Sequence, residues 1–501
     1  MANYFATPFR AIYQTARLVA VLLLVIYGGT TSAATYAFTP AAKSIYESIL
    51  RLDLEGSAAR IDALRLTDPD NRVAEYLESY LDFFRLYLSE DEQLFNRLAP
   101  RHERRLERLA EIDPASPYHR YTQAEARLHW ALVRIRFESY YPAFREVNKA
   151  HKLLRANQAE HPDFLLNYKD LGLIHAAVGA VPDQFRWGVE LFSSLSGSVP
   201  EGKRELERAL LDRNSPFYRE TAVLYAFLQL HLDNQPEAAW QTVNRLNLQP
   251  ATNKLHCFVH ANVALRSNHN DAAIKLLSHQ PRDRTTADFP YLDFMQGTAR
   301  LRRLDSGSQV YFVSFLARWR GKHFAKEARQ KLAWAELIDG DEAAYRKQMA
   351  RVTGSGTTAA GGDESALREA ERAELPQLDL LKARLLFDGG YFTRARAVLD
   401  ATDPAELKKE EQLEYYYRTG RVLHGLKELT AALAFYERTV SDGTASARHF
   451  ACSAALQAGL VEEGRGRTVQ ARRYFERCLT LEPSEYATGL HLQAKAGLSR
   501  L

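Results

Sequence analysis

The sequence predicts an all-α protein built as a curved stack of helical hairpins. Three observations carry this. Ala, Leu, Arg and Glu dominate, while only 18 Pro and 26 Gly occur among 501 residues, a balance that favours helix over strand. Apolar residues recur at i, i+3, i+4 and i+7 along much of the chain, and no alternating stretch of useful length interrupts them. Small and bulky residues also return at fixed spacings, the mark of a repeat.

Residues 1–33 stand apart from that pattern. Arg10 and Arg17 precede an apolar core, Leu18 to Tyr27, small residues follow as far as Ala34, and no acid occurs before Glu47. This is the order of a signal peptide, with cleavage expected after Ala33 or Ala34. A core of ten residues falls short of the roughly 20 that a spanning helix needs, which disfavours an uncleaved anchor. No Cys lies nearby to take a lipid. With Arg10 and Arg17 removed, 64 basic side chains face 62 acidic ones. So small an imbalance excludes nucleic acid as a partner and leaves only peripheral membrane association.

From 40 to 169 the chain reads as amphipathic helix, as in "VAEYLESYLDFFRLYL" and "YTQAEARLHWALVRIRFESYYPAFREVNKAHKLL". The stretch 170–215 predicts an atypical apolar helix pair. Its longest uncharged run, Leu171 to Pro182, is 12 residues, too short to cross a bilayer. Leu171-Gly172 suits a helix crossing, Pro182 stops that helix, and Asp183 can start the next. Phe185, Val189 and Phe192 then follow i, i+4, i+7, with Trp187 widening the face. The expectation is a core element; Phe185, Trp187 and Phe192 would form an apolar binding surface only if left uncovered.

Across 216–352 the repeat emerges. Ala238 and Ala272 stand 34 residues apart, Pro250 ends the first unit, and Gly340-Asp341 turns a later hairpin. The Gly/Thr/Ala-rich "TGSGTTAAGGDES", 353–365, predicts a flexible linker. Between 366 and 501 the spacing is plainest. Ala383, Ala395 and Leu399 are matched by Gly420, Ala432 and Tyr436, then by Gly459, Ala471 and Phe475, with Cys478 and Pro483 completing the last unit. A Gly or Ala where two helices cross lets their backbones approach, and a larger side chain would hold them apart.

These spacings resemble the tetratricopeptide repeat, in degenerate form. The resemblance implies a right-handed superhelix of helical hairpins whose first helices line a concave groove. Longer phrases, among them "HPDFLLNYKDLGLIHA", "GKHFAKEARQKLAWAELIDGDEAAY" and "YYYRTGRVL", resemble uncharacterised exported tetratricopeptide-type proteins of Bacteroidota. That implies the periplasm or cell envelope of a Gram-negative bacterium. The 170–203 stretch more weakly resembles a eukaryotic tetratricopeptide family linked to inclusion-body clearance.

Motifs for enzymatic chemistry do not emerge. The chain has no H-E-x-x-H, C-x-x-C or G-x-S-x-G, and the linker's glycines lack the Gly-Lys-Ser/Thr that holds phosphates. His256 and His260 share a helix face at i, i+4, but no acid joins them, so no metal site or cofactor is expected. Cys257, Cys452 and Cys478 are too few and too far apart for a disulfide framework and read as small core residues.

The groove is the better candidate. The tetratricopeptide resemblance implies that Arg384 and Asp388, then Tyr417, Arg421 and His424, then Gln457 face it, together with Phe387, Glu414 and Leu456. Arg offers a planar donor fork for carboxylates or peptide backbone, and Tyr adds rigid contact area. The competing expectation is that Arg384 and Asp388 only pair with each other on a solvated face. Of Tyr415–Tyr417, two are expected in the core and one in the groove. The function this implies is non-enzymatic: an exported scaffold holding a protein or peptide partner. The alternative is an outer-membrane glycan-binding or transport-accessory protein of helical-repeat type.

Overall fold

A computed structural model describes residues 34–180 and 195–501. The expected signal peptide and the Phe185, Trp187 and Phe192 surface lie outside these residues. The described chain is all helical apart from two isolated parallel bridges, Ala34 with Ile112 and Thr35 with Asn71. Among the described residues, no helix is long and apolar enough to cross a membrane.

The first helices are α1 (Pro40–Leu50), α2 (Leu54–Thr67), α3 (Val73–Ser89), α4 (Glu92–Leu109), α5 (Pro117–Arg136) and α6 (Tyr140–Glu160). Next come α7 (Leu166–Gly179), α8 (Val199–Ala209), α9 (Tyr218–His231), α10 (Pro236–Arg245), α11 (Lys254–Arg266) and α12 (Asn270–Ser278). The third group is α13 (Tyr291–Arg303), α14 (Gln309–Arg318), α15 (Ala325–Ile338), α16 (Glu342–Met349), α17 (Gly361–Arg372) and α18 (Leu378–Asp388). The series closes with α19 (Phe392–Asp400), α20 (Lys409–Gly425), α21 (Leu429–Asp442), α22 (Phe450–Gly464), α23 (Thr468–Leu479) and α24 (Ala487–Arg500). Neighbours pack as hairpins, and first helices also touch the first helix of the next hairpin, α9 to α11 to α13 and α18 to α20 to α22. That is the tetratricopeptide-like solenoid the spacing predicts.

The crossings show why the spacing exists. A Cβ on Gly459 would meet the ring of Phe475 at 2.5 Å, and one on Gly420 would meet Tyr436 at 2.7 Å. Ala383, Ala395, Ala432 and Ala471 are all fully buried. Further upstream the register differs by one. Ala238 and Ala272 are only half-buried, and the buried small residues are their neighbours Ala239 and Ala273. Cys257, Cys452 and Cys478 are buried and free. Cys452 and Cys478 are nonetheless not far apart: α22 and α23 bring their Sγ atoms to 3.5 Å.

The second helix of the expected apolar pair, starting at Asp183, falls outside the described residues, and it is α7 and α8 that approach closely. A Cβ on Gly172 would meet the Gly202 carbonyl oxygen at 2.7 Å, and Leu171 is fully buried. Beside this contact sits a buried ionic cluster. Lys169 on α7, 1% exposed, pairs with Glu125 of α5 and, at 2.8 Å, with Glu220 of α9. Tyr76 and Tyr80 of α3 donate to Glu125, and Tyr46 of α1 donates to Glu220 at 2.7 Å.

The stretch 353–365 is not the flexible linker that its composition suggests. Lys326 donates to the carbonyls of Val352 and Thr353, and Thr357 bonds Lys322 and Glu138. Its last residues start α17, where buried Asp363 accepts the backbone N–H groups of Phe324 and Glu327 at the start of α15. Small, flexible residues here serve a tight path, and the hydrogen bonds that fix it come from distant sequence. The first half closes onto this same region. Glu90, at a left-handed position after α3, accepts the N–H groups of Lys322 and His323 and pairs with Arg136. Burial would raise its pKa, but His323 and Arg136 hold it below the usual range.

Two predictions follow from this packing. Gly459→Ala should lower stability by about 1–3 kcal/mol through overpacking against Phe475, read by chemical denaturation. The second concerns Asp170, whose carboxyl burial pushes up to about 8, with Glu125 and Glu220 adding to burial and Lys169 opposing it. The folded chain then keeps a proton that the unfolded chain releases near pH 4, so stability falls as pH rises between these values, by up to about 1.4 kcal/mol per unit. Asp170→Asn removes the effect. The variant's advantage in thermal midpoint should grow from about pH 5 to pH 8 and level off above; a constant difference would refute the assignment.

Candidate functional site

The first helices of the C-terminal hairpins enclose a cavity of about 1260 Å³. Its walls are Trp334 of α15, Arg384, Phe387 and Asp388 of α18, Glu414, Tyr417, Arg418 and Arg421 of α20, and the start of α22.

The far side is bridged by α17. Ser365 hydrogen-bonds the Tyr486 hydroxyl at 2.7 Å, Arg368 lies 4.5 Å over the Tyr486 ring, and Arg372 pairs with Glu485 at 3.1 Å. Arg448, beyond α21, reaches back to Glu374 at 2.6 Å. The chain therefore straps its own groove with a helix.

The structure brings together Arg384, Asp388, Tyr417 and Arg421, with Phe387 and Glu414. It places the other expected residues elsewhere. His424 is half-buried beside α21, its Nδ1 3.3 Å from the Tyr436 hydroxyl, and burial with Arg421 nearby lowers its pKa to about 4. Gln457 is half-buried away from the cavity lining, and Leu456 is a core residue at 1% exposure. On α22 the lining residues are instead Phe450 and Ser453, two turns and one turn earlier. Tyr416 and Tyr417 are both buried, but Tyr417 still presents its hydroxyl to the cavity.

Arg384 does not pair with Asp388. Its guanidinium lies 4.8 Å over the Trp334 ring, whose N–H is taken by Glu369. Arg421 lies 4.7 Å over Phe387 and donates to the Tyr417 hydroxyl at 3.0 Å. Neither guanidinium makes an ion pair among the described residues. Four of the lining carboxylates, by contrast, are paired: Glu364 with Arg368, Glu374 with Arg448, Glu414 with Arg418, and Glu485 with Arg372. The site thus has two aromatic-backed cations with donors to spare. Sequence periodicity missed Trp334, Arg368, Arg372, His449, Glu485 and Tyr486. They come from the hairpin turned at Gly340-Asp341, from the helix that follows the expected linker, and from the segments before α22 and α24.

No protein-family model matches the chain, and no curated protein is detectably similar to it. Among solved structures, the chain is similar to one of Naa15/Naa10 bound to HypK-THB, with 13% identity over 89% of this chain and 64% of that one, at a TM-score of 0.26. It is also similar to the APC/C hetero-tetramer Cut9–Hcn1, with 13% identity over 91% and 94% of the two chains, at a TM-score of 0.24. The chain therefore spans just under two thirds of the length of the first. Likeness at this level adds nothing to the fold that the hairpins themselves display.

The strap can be tested at Glu485. Burial would raise its pKa, but the His449 hydrogen bond and the Arg372 charge bring it down to about 2. A depressed carboxylate contributes stability above its unfolded pKa and loses it as pH falls from about 4.5 to about 2. Glu485→Gln should cost on the order of 2 kcal/mol at neutral pH, and the deficit should shrink as pH is lowered through that window, as read by thermal melts.

Proposed function

We propose that the chain is an exported, non-enzymatic scaffold that holds an extended segment of a protein partner in the strapped cavity between α15 and α22. The observation that carries the reading is the pair Arg384 and Arg421: two guanidiniums facing one cavity, each laid on an aromatic ring, neither in a direct ion pair among the described residues although the Asp388 charge acts on both. Planar donor forks of this kind suit backbone carbonyls and side-chain or terminal carboxylates of a peptide. Burial would raise Glu414 and Glu485, but Arg418 at the first and His449 with Arg372 at the second hold them below the usual range, which suits charge complementarity better than proton transfer.

The glycan reading is weaker on one specific ground. Sugar rings need open aromatic faces, and Trp334, Phe387 and Tyr486 are each covered by Arg384, Arg421 or Arg368. Location in a Gram-negative envelope belongs to the same proposal and is supported by the n-h-c order of residues 1–33 and by the phrases resembling exported Bacteroidota proteins.

The test is capture from envelope extracts by the full chain, followed by binding of tiled peptides from the recovered proteins. Arg384→Ala with Arg421→Ala should weaken peptide binding by about 10–100-fold, the loss expected for charge-assisted hydrogen bonds, with helical circular dichroism unchanged. Equal binding by the double variant would sink the groove assignment. Recovery of the natively expressed chain in the cytoplasmic fraction alone would sink the envelope location.

A further inference from the structure

We propose that His175, Glu201 and Glu205 form a binding site for one divalent transition-metal ion of the zinc class, clamped between α7 and α8. His175 Nδ1 lies 2.6 Å from Glu205 Oε2 and 3.8 Å from Glu201 Oε1, and the three ligand atoms all lie within 4.8 Å of one another. Ligands set tetrahedrally around Zn²⁺ at about 2.0–2.2 Å stand roughly 3.4 Å apart. The set closes on an ion when the 2.6 Å contact, now a hydrogen bond, opens by less than about an ångström and gives up its proton.

Two rigid supports hold the ligands in place. Glu201 and Glu205 stand one turn apart on α8, so their carboxylates share a face. The backbones of α7 and α8 touch at Gly172 and Gly202, and Gly197 packs on the His175 Cα, which fixes the histidine against that face. Behind it, His151 of α6 brings its Nε2 to 3.2 Å from His175 Nε2, and both rings are more than nine-tenths buried. One ring must donate to the other. With an ion on Nδ1, His175 donates from Nε2 to His151, the outer-sphere contact that orients a ligating imidazole. The Glu201 side chain is 45% exposed, leaving a solvent side for a water as fourth ligand.

Electrostatics separates this cluster from the other one of similar composition. His102, Glu103 and Glu146 also converge. There Arg127 already takes Glu146 at 2.7 Å, and burial together with Arg105, Arg127 and Arg134 drives His102 down to about 2, so a cation would enter a field of cations. Around the proposed site no Lys or Arg pairs with Glu201 or Glu205 among the described residues. An imidazole in the set favours Zn²⁺ over Mg²⁺ or Ca²⁺, which take oxygen ligands.

The experiment uses the full chain, stripped with a chelator and titrated with Zn²⁺ by calorimetry, with Co²⁺ absorption as a second readout. One equivalent of Zn²⁺ should bind, raise the thermal midpoint, and resist competition by excess Mg²⁺. Glu201→Gln and Glu205→Gln preserve shape and should weaken binding by more than the 10–100-fold or so typical of outer-sphere changes, while metal-free circular dichroism stays the same. His102→Gln should leave binding intact. Absence of Zn²⁺ binding by the stripped chain, or wild-type affinity in Glu205→Gln, overturns the site.

Discussion

One buried ammonium organises the first half of the molecule. Lys169 has almost no solvent exposure, and its charge is met by Glu125 and Glu220. Those two carboxylates are in turn held by Tyr46, Tyr76 and Tyr80. Helices α1, α3, α5, α7 and α9 thus meet at one point. An apolar core of similar volume would cost less to desolvate, and breaking a formed buried pair typically costs 3–5 kcal/mol or so. The cluster therefore constrains geometry: only one mutual placement of five helices lets every charge in it find a partner. Burial alone would favour a neutral Lys169, yet its carboxylates keep it firmly charged.

That geometry is passed to the cavity through two further buried carboxylates. Glu90, at the end of α3, accepts the backbone of Lys322 and His323, directly before α15. Asp363 accepts Phe324 and Glu327 at the start of the same helix and itself sits in the first turn of α17. Both joints grip the N-terminal end of α15, so Trp334 on α15 and Arg368 and Arg372 on α17 are placed partly by contacts made outside the C-terminal hairpins. Acids that take backbone N–H groups are directional, and a rigid backbone cannot slide along them as apolar faces can. The cavity wall and its strap are positioned by the same acceptor chemistry.

These joints explain what could be read from sequence and what could not. Helix existence and the crossings at Ala383, Gly420 and Gly459 were legible because they depend on contacts 12 to 16 residues away, within one hairpin. The one-residue slip at Ala238 and Ala272 arises where two adjacent alanines make either register plausible, and only burial of Ala239 and Ala273 decides it. The linker reading failed for a different reason. Composition reports the entropy of the free chain, whereas Asp363 acts on residues 36 and 39 positions earlier. In the groove, Arg384, Tyr417 and Arg421 followed from the repeat template, and they line the cavity. His424 and Leu456 do not, because they lie at the edge of the inward face, where a few degrees of helix rotation turn a groove position into a packed one.

The strap changes what the groove can hold. An open tetratricopeptide-like surface would accept a helix or a folded domain along its length, but α17 runs from α15 to Glu485 and Tyr486 and divides the concave face. What remains is a space of about 1260 Å³, enough for an extended segment of several residues. Within it, Arg384 and Arg421 are already stacked and partly desolvated, so little side-chain freedom is left to lose when an acceptor arrives. Under the proposed scaffold function, preorganised cations in a confined space would favour a short, extended, acceptor-rich ligand, with the strap rather than the repeat setting that selectivity.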